Sequence, residues 1–301
     1  MPRPPRFVTL GPRDAGRPVE KVLARALPGA AWSHVMKLLR RGLVRLEGQD
    51  ERPLRRGDAV PGAGRLVIAP GDDRPAAPPM PNRRLRFAVL HADPDLAVVE
   101  KPAPLAMHPG PGHGTDTFLN ALVGRFPELA GLGEERGWGL VHRLDRETSG
   151  LLVVARTAAA RDALVEAFAA RAVEKRYGAL CLGRPAAVEG EVATPVDGKE
   201  ALTRWRVDAA AGGVGRLTLL PRTGRTHQLR IHLASLGCPV LGDPRHGPAG
   251  LPLAARIGLE RLALHAEALA FDHPSSGRRL AFESPWPPEL TRAWVAAGTL
   301  R

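Results

Sequence analysis

The chain has 301 residues, 44% hydrophobic and 25% charged, enough apolar mass for one sizeable core and a smaller second one. Lys plus Arg number 43 against 31 Asp plus Glu, a net charge of +12; this suits a polyanionic partner, although Arg-rich compositional drift gives the same balance. No run reaches the roughly 18 apolar residues of a membrane span, the start lacks a secretory signal, and Cys181 and Cys238 stand far apart with no metal-ligand spacing, so a cytoplasmic chain with no disulfide, metal or cofactor is expected.

Residues 1–15 are rich in Pro and Arg and read as a flexible tail. Pro18 then opens a helix with Val19, Val22, Leu23, Ala26 and Leu27 on one face, stopped by Pro28-Gly29. Ser33 is placed to cap a second helix, His34 to Arg41, closed by Gly42. Its Val35, Met36 and Leu39 face inward, and Lys37, Arg40 and Arg41 share the other side. Val44 and Leu46 alternate with charged residues as a short strand, and 58–60 and 66–68 give two more strand signals. Two short helices with a basic face, followed by small strands, resemble the S4 RNA-binding module, here over residues 16–72. The resemblance makes Lys37, Arg40 and Arg41 RNA contacts; by themselves they also fit an ordinary solvated face.

Residues 73–85 read as a linker dense in Pro and charge, leaving 86–301 as a second domain. There, strands are expected at 96–100, 150–155, 176–182, 215–220 and 264–271, and helices at 116–125, 158–172 and 226–236. Strands outnumber helices and do not alternate regularly with them, which predicts an α+β fold on a mixed sheet.

The densest polar segment runs from Val141 to Gly150 and feeds the apolar run Leu151-Leu152-Val153-Val154-Ala155. That run reads as a strand buried on both faces, so Asp145 lies on a loop anchored by a rigid element, a usual place for a reacting group. By itself the segment is equally consistent with a surface ion pair between Asp145 and Arg143 or Arg146.

From His142 to Leu152 the segment resembles the HRLD-x-x-TSG-L-L signature of the RluA-type pseudouridine synthases. Glu100-Lys101-Pro102 through His108-Pro109-Gly110 resembles an earlier family segment, with Glu100 and Pro104 as small departures from it. Arg222-Thr223-Gly224-Arg225-Thr226-His227-Gln228-Leu229-Arg230 resembles a later one, and Leu241-Gly242-Asp243, Leu264-His265-Ala266 and His273-Pro274 follow in order.

The resemblance implies a mainly antiparallel catalytic domain that isomerises uridine in RNA through the carboxylate of Asp145. That carboxylate either attacks the sugar at C1′ or removes a neighbouring proton. It implies Arg230 as the cationic partner of Asp145, carried on a helix that looks capped by Thr226 and ended by Gly237, with Leu229, Leu233 and Leu236 buried. Tyr177, the only tyrosine of the chain, lies in a tract resembling the family's K-x-Y-x-A segment. There it is expected to stack on the base, worth roughly 1–3 kcal/mol, or to assist proton transfer.

His142, Arg143, Lys175, Arg222, Arg225 and His227 are expected on the substrate side, Arg143 filling the gap left by an extruded base. Members with an S4-like module mostly modify large-subunit ribosomal RNA, so ribosomal RNA is the first expected partner and tRNA the second, with the protein a monomer. A glycoside or nucleoside hydrolase also uses a nucleophilic aspartate, but needs a second carboxylate, and Glu147 points away if Asp145 points in. A non-catalytic S4-type RNA-binding protein would not require Asp145, Tyr177 and Arg230 together.

Overall fold

The computed structural model describes residues 4–27, 32–49, 52–69, 78–109 and 114–300, without the side chains of Trp32, Ser33, His34 and Glu135. The chain divides into two compact units, 1–76 and 77–301. Among the described residues no helix is long and apolar enough to cross a membrane.

In the first unit β1 (Arg6–Leu10), β3 (Gly64–Ile68) and β2 (Val44–Leu46) form an antiparallel sheet in that order, with α1 (Val19–Ala26) and α2 (Trp32–Arg40) packed on it. Val8, Leu10, Val22, Leu23, Val35, Leu39 and Leu66 make its core. The expected tail is corrected here. Arg6–Leu10 is a strand because Val8 and Leu10 alternate into the core while Phe7 faces out, and its partner lies more than fifty residues downstream, where no local pattern reveals it.

The second helix begins at Trp32, ahead of the expected cap at Ser33, whose side chain lies outside the described residues, as does the stop at Pro28-Gly29. Gly42, at φ 64°, closes that helix as its sequence suggests. Residues 58–60 form no strand; Ala59 makes only a bridge to Pro18.

The second unit is built on a sheet of nine strands among the described residues. Its order is β4 (Ala88–Ala92), β5 (Leu96–Lys101), β6 (Ser149–Ala155), β11 (Leu264–Asp272), β7 (Glu174–Leu182), β10 (Val214–Pro221), β9 (Thr203–Ala211) and β8 (Glu189–Val192), with β12 (Arg279–Glu283) also on β11. Only β6 and β11 run parallel, so the α+β class with a mainly antiparallel sheet holds.

All of β6 is buried, and its alternation sorts two cores. Leu152 and Val154 meet Phe118, Leu119 and Leu122 of α3 (Phe118–Arg125); Leu151 and Val153 meet Ala160 and Leu164 of α4 (Ala158–Ala169). A third core lies under α5 (Gln228–Ser235), α6 (Leu251–Arg256) and α7 (Pro288–Thr299). The β4–β5 turn is locked by Asp93, which accepts from the backbone of Asp95 and Leu96 and from the rings of His91 and His273. Asp93, Asp95 and His273 bring ligand-type atoms within 4.8 Å of one another, and these hydrogen bonds account for the grouping.

Candidate active site

Asp145 sits on the loop that enters β6, at the end where β6 and β11 come alongside each other. Gly150 allows this approach: its φ is 115°, and a Cβ there would stand 2.3 Å from the carbonyl oxygen of Ala266. The Asp145 carbonyl accepts from Thr148 N–H at 3.1 Å, closing the turn, and Leu144 is buried beneath it.

Two buried basic side chains bolt the loop from below. Lys101 Nζ donates to the carbonyls of Pro102 (2.9 Å), Leu105 (2.9 Å) and Arg146 (3.0 Å). Burial, then the charge of Arg261, lowers its ammonium to about 7 against the pull of Glu147 and Asp145. Arg261 donates to the Glu147 carbonyl at 3.1 Å and to Ser149 Oγ at 3.0 Å, and pairs with Glu289. The loop backbone is thus fixed before any substrate arrives.

The carboxylate itself is held by α5. Arg230 Nη1 donates to Asp145 Oδ2 at 3.2 Å, while its Nε and Nη2 make a two-pronged bond to Asp243 at 2.6 and 2.7 Å. Asp243 is fully buried and also accepts the backbone N–H groups of Arg245 and His246. Burial would raise its carboxyl, but these donors and the Arg230 charge outweigh that and leave it lowered. Burial likewise opposes the Arg230 guanidinium, and Asp243 and Asp145 together more than offset it, so its range rises. Arg230 stays a fixed cation that turns its remaining nitrogen, Nη1, to Asp145.

A cavity of about 440 Å³ opens over this pair, a size suited to a small ligand or one extruded nucleotide. Asp145, Arg230, Tyr177, Arg143, His142, Lys175, Arg222, Arg225 and His227 all line it, so every residue expected at the site in the second unit converges there. Lys37, Arg40 and Arg41 belong to the first unit, along α2 and just after it.

Tyr177 stands on β7 opposite Ala266 of β11; burial, then the Asp145 charge, raises its phenol, which therefore keeps its proton. Arg143, Arg222 and Arg225 are exposed around the mouth. Arg225 Nε donates to the Glu200 carbonyl at 3.0 Å, and Glu200 also holds Arg171, another cation of the lining, at 2.9 Å. Among the described residues of the lining Asp145 is the only carboxylate. The surface ion pair is not formed: Arg146 turns to Glu147 at 3.6 Å, and Asp145 to Arg230.

His142 lines the cavity and is also tied into the scaffold: its Nε2 accepts the Val153 N–H at 3.0 Å, and its ring stacks on Phe168 of α4 with centroids 4.6 Å apart. Burial, then the nearby Lys175, lowers this imidazole to about 3, so it is neutral and occupied. One expectation is corrected here: Thr226 does not cap α5. His227, with a left-handed backbone at φ 57°, stands between it and the helix. The turn is closed instead by the Gln228 side chain, which accepts from Arg225 N–H (3.0 Å) and Thr223 Oγ1 (2.7 Å) and donates to Leu202 and Thr203. Gly237, at φ 73°, does end the helix region, and Leu229 and Leu233 are buried.

Asp243 and Lys101 lie in tracts that stand out in the sequence, yet nothing local announces their partners. Arg261 carries no sequence signal at all.

Residues 95–235 match the RNA pseudouridylate synthase family. An uncharacterized RNA pseudouridine synthase of Chloroflexus aurantiacus is 37% identical over 95% of this chain and 91% of its own length. A protein of Xanthomonas campestris named ribosomal large subunit pseudouridine synthase D is 37% identical over 94% of this chain and 89% of that protein. Among solved structures, human RNA pseudouridylate synthase domain containing 4 superposes with a TM-score of 0.56 at 26% identity, covering 70% of this chain and 92% of that one.

Proposed function

The chain belongs to the RNA pseudouridine synthase family, and we propose that it isomerises specific uridines of large-subunit ribosomal RNA with Asp145 as the reacting carboxylate. The observation that carries this is the single carboxylate of the cavity lining, held at one oxygen by Arg230 and facing a protonated tyrosine. The ribosomal substrate is supported by the large-subunit name of the relative from Xanthomonas campestris. It is also supported by the S4-like reading of residues 16–72, in which Lys37, Arg40 and Arg41 contact RNA.

In this reading the uridine leaves the stack and enters the cavity, at a cost of a few kcal/mol. Arg143 takes its place, and Arg222, Arg225 and Lys175 hold neighbouring phosphates. Asp145 attacks C1′ or takes a sugar proton, freeing uracil from its N1–C1′ bond. Tyr177 stacks on the loose base and holds a phenolic proton beside it while it turns to present C5. A C5–C1′ bond then forms as the Asp145–C1′ bond breaks or, on the other route, as Asp145 returns the sugar proton; C5 gives up its proton and N1 gains one. The rearrangement is redox-neutral and invokes no cofactor. A hydrolase would need a second carboxylate across the sugar, and Asp243 is already committed to Arg230.

The test is tritium release from RNA labelled at uracil C5, using unmodified large-subunit rRNA and bulk tRNA with wild type and Asp145→Asn. Release from rRNA by wild type alone, without free uracil, is expected. Release from tRNA only would move the substrate, and equal release by Asp145→Asn would remove the carboxylate from its role.

A further inference from the structure

Two imidazoles stand together on the open side of Asp145. The left-handed backbone of His227 turns its ring off α5 and into the cavity. Its Nδ1 lies 2.9 Å from His246 Nε2, and its own Nε2 lies 4.0 Å from Asp145 Oδ1, the oxygen that Arg230 leaves free. The rings meet edge to face, with centroids 5.1 Å apart at 79°. His246 is itself fixed, since its backbone N–H donates to the buried Asp243 at 3.0 Å. The charges facing the pair are Asp145 from the loop before β6, Arg230 from α5, and Asp243 and Arg245 from the loop carrying His246.

A hydrogen bond between two ring nitrogens holds one proton, so the two rings cannot choose tautomers independently. With the proton on His246 Nε2, His227 Nδ1 accepts and an Nε2–H points at Asp145. With the proton on His227 Nδ1, a lone pair faces the carboxylate instead. At 4.0 Å the first arrangement is attractive and the second repulsive, so the carboxylate favours the first, but at that distance too weakly to make it exclusive without the His246 donor. Burial, ahead of the surrounding charges, lowers both imidazoles below their ordinary range and keeps the pair neutral at pH 7.

We propose that His246 is a positioning residue for the isomerisation: by donating from Nε2 it fixes His227 as an N–H donor to the Asp145 oxygen that Arg230 does not hold. The gap to Asp145 is long for a hydrogen bond and closes as the nucleotide enters, as such contacts commonly do when a substrate binds. Two donors from opposite sides then define the plane of the carboxylate. This inference rests on the role given to Asp145 above.

The test uses the full chain with ¹⁵N-labelled histidine, whose long-range proton–nitrogen spectra distinguish the two tautomers, with His227 assigned from its loss in His227→Gln. The same proteins are assayed for tritium release from rRNA and tRNA. Wild type is expected to show His227 as the Nε2–H tautomer. His246→Phe, which keeps a ring and deletes the donor, should give a tautomer mixture and lower kcat about tenfold at unchanged KM. His246→Gln, which offers an amide N–H from the same place, should restore both. A wild-type His227 carrying its proton on Nδ1, or a His246→Phe protein with wild-type tautomer and rate, would overturn the proposal. Were wild type to release tritium from neither RNA, the substrate reading would fall, while the tautomers would still decide for or against the pair.

Discussion

At the scale of single residues, the site is an arrangement of charges that share one guanidinium. Arg230 uses two of its three nitrogens on Asp243 and offers the third to Asp145. The buried carboxylate therefore works through the arginine, as a brace that stops it from closing fully on the reacting group. Asp243→Asn removes the charge but keeps the shape, leaving a buried arginine short of one anion. Breaking such a pair costs about 3 kcal/mol or more, so the midpoint of urea unfolding should fall clearly. Turnover should fall with it, because Arg230 becomes free to pair with Asp145 through both of its ends. An unchanged unfolding midpoint would show that Arg230 does not depend on this partner.

At the scale of elements, the reacting loop is held by staples to its neighbours as well as by its own turn hydrogen bond. Lys101 ties it to the segment after β5, Arg261 to the segment before β11, and His142 joins β6 to α4. The His142 staple is conditional on pH. In the unfolded chain this imidazole titrates near its ordinary 6.5, and in the fold it is lowered to about 3. Between those values the unfolded chain binds a proton that the fold refuses. The contribution is whole above about pH 6.5 and is lost as pH falls toward 3, at up to about 1.4 kcal/mol per pH unit for one proton. Denaturant unfolding from pH 7 to pH 4 should show a slope shallower by about one proton in His142→Gln than in wild type. Equal slopes would mean that His142 titrates alike in both states.

At the scale of the molecule, the two units each carry their own core, so the second is expected to stand alone. A chain of residues 77–301 should fold cooperatively and release tritium from short uridine-containing RNA. On long ribosomal RNA it should bind more weakly, with a salt dependence shallower by roughly two in log–log slope if Lys37, Arg40 and Arg41 each touch a phosphate. An unaltered salt slope would remove the first unit from RNA contact.

Much of this protein is legible in its sequence because helices and strands encode their buried faces locally. The all-apolar 151–155 run, the α1 face from Val19 to Ala26 and the turn glycines Gly42 and Gly237 each announce their geometry within a few residues. The segment from His142 to Leu152 and the tract from Arg222 to Arg230 likewise present their chemistry as contiguous strings, and they meet at one cavity. Other features are decided by partners far away in the chain. β1 exists only because β3 pairs with it, and β9 hides its alternation behind arginine and alanine until β10 and β8 flank it. Val153 and Phe168 as partners of the His142 ring, and Arg230 as the partner of Asp243, are not readable from the sequence, and Arg261 and His246 have no reading at all until their partners arrive. Hydrophobic periodicity is a local property that a single chain displays; the identity of a hydrogen-bond or charge partner is set by the packing of elements, and only the tertiary structure supplies it.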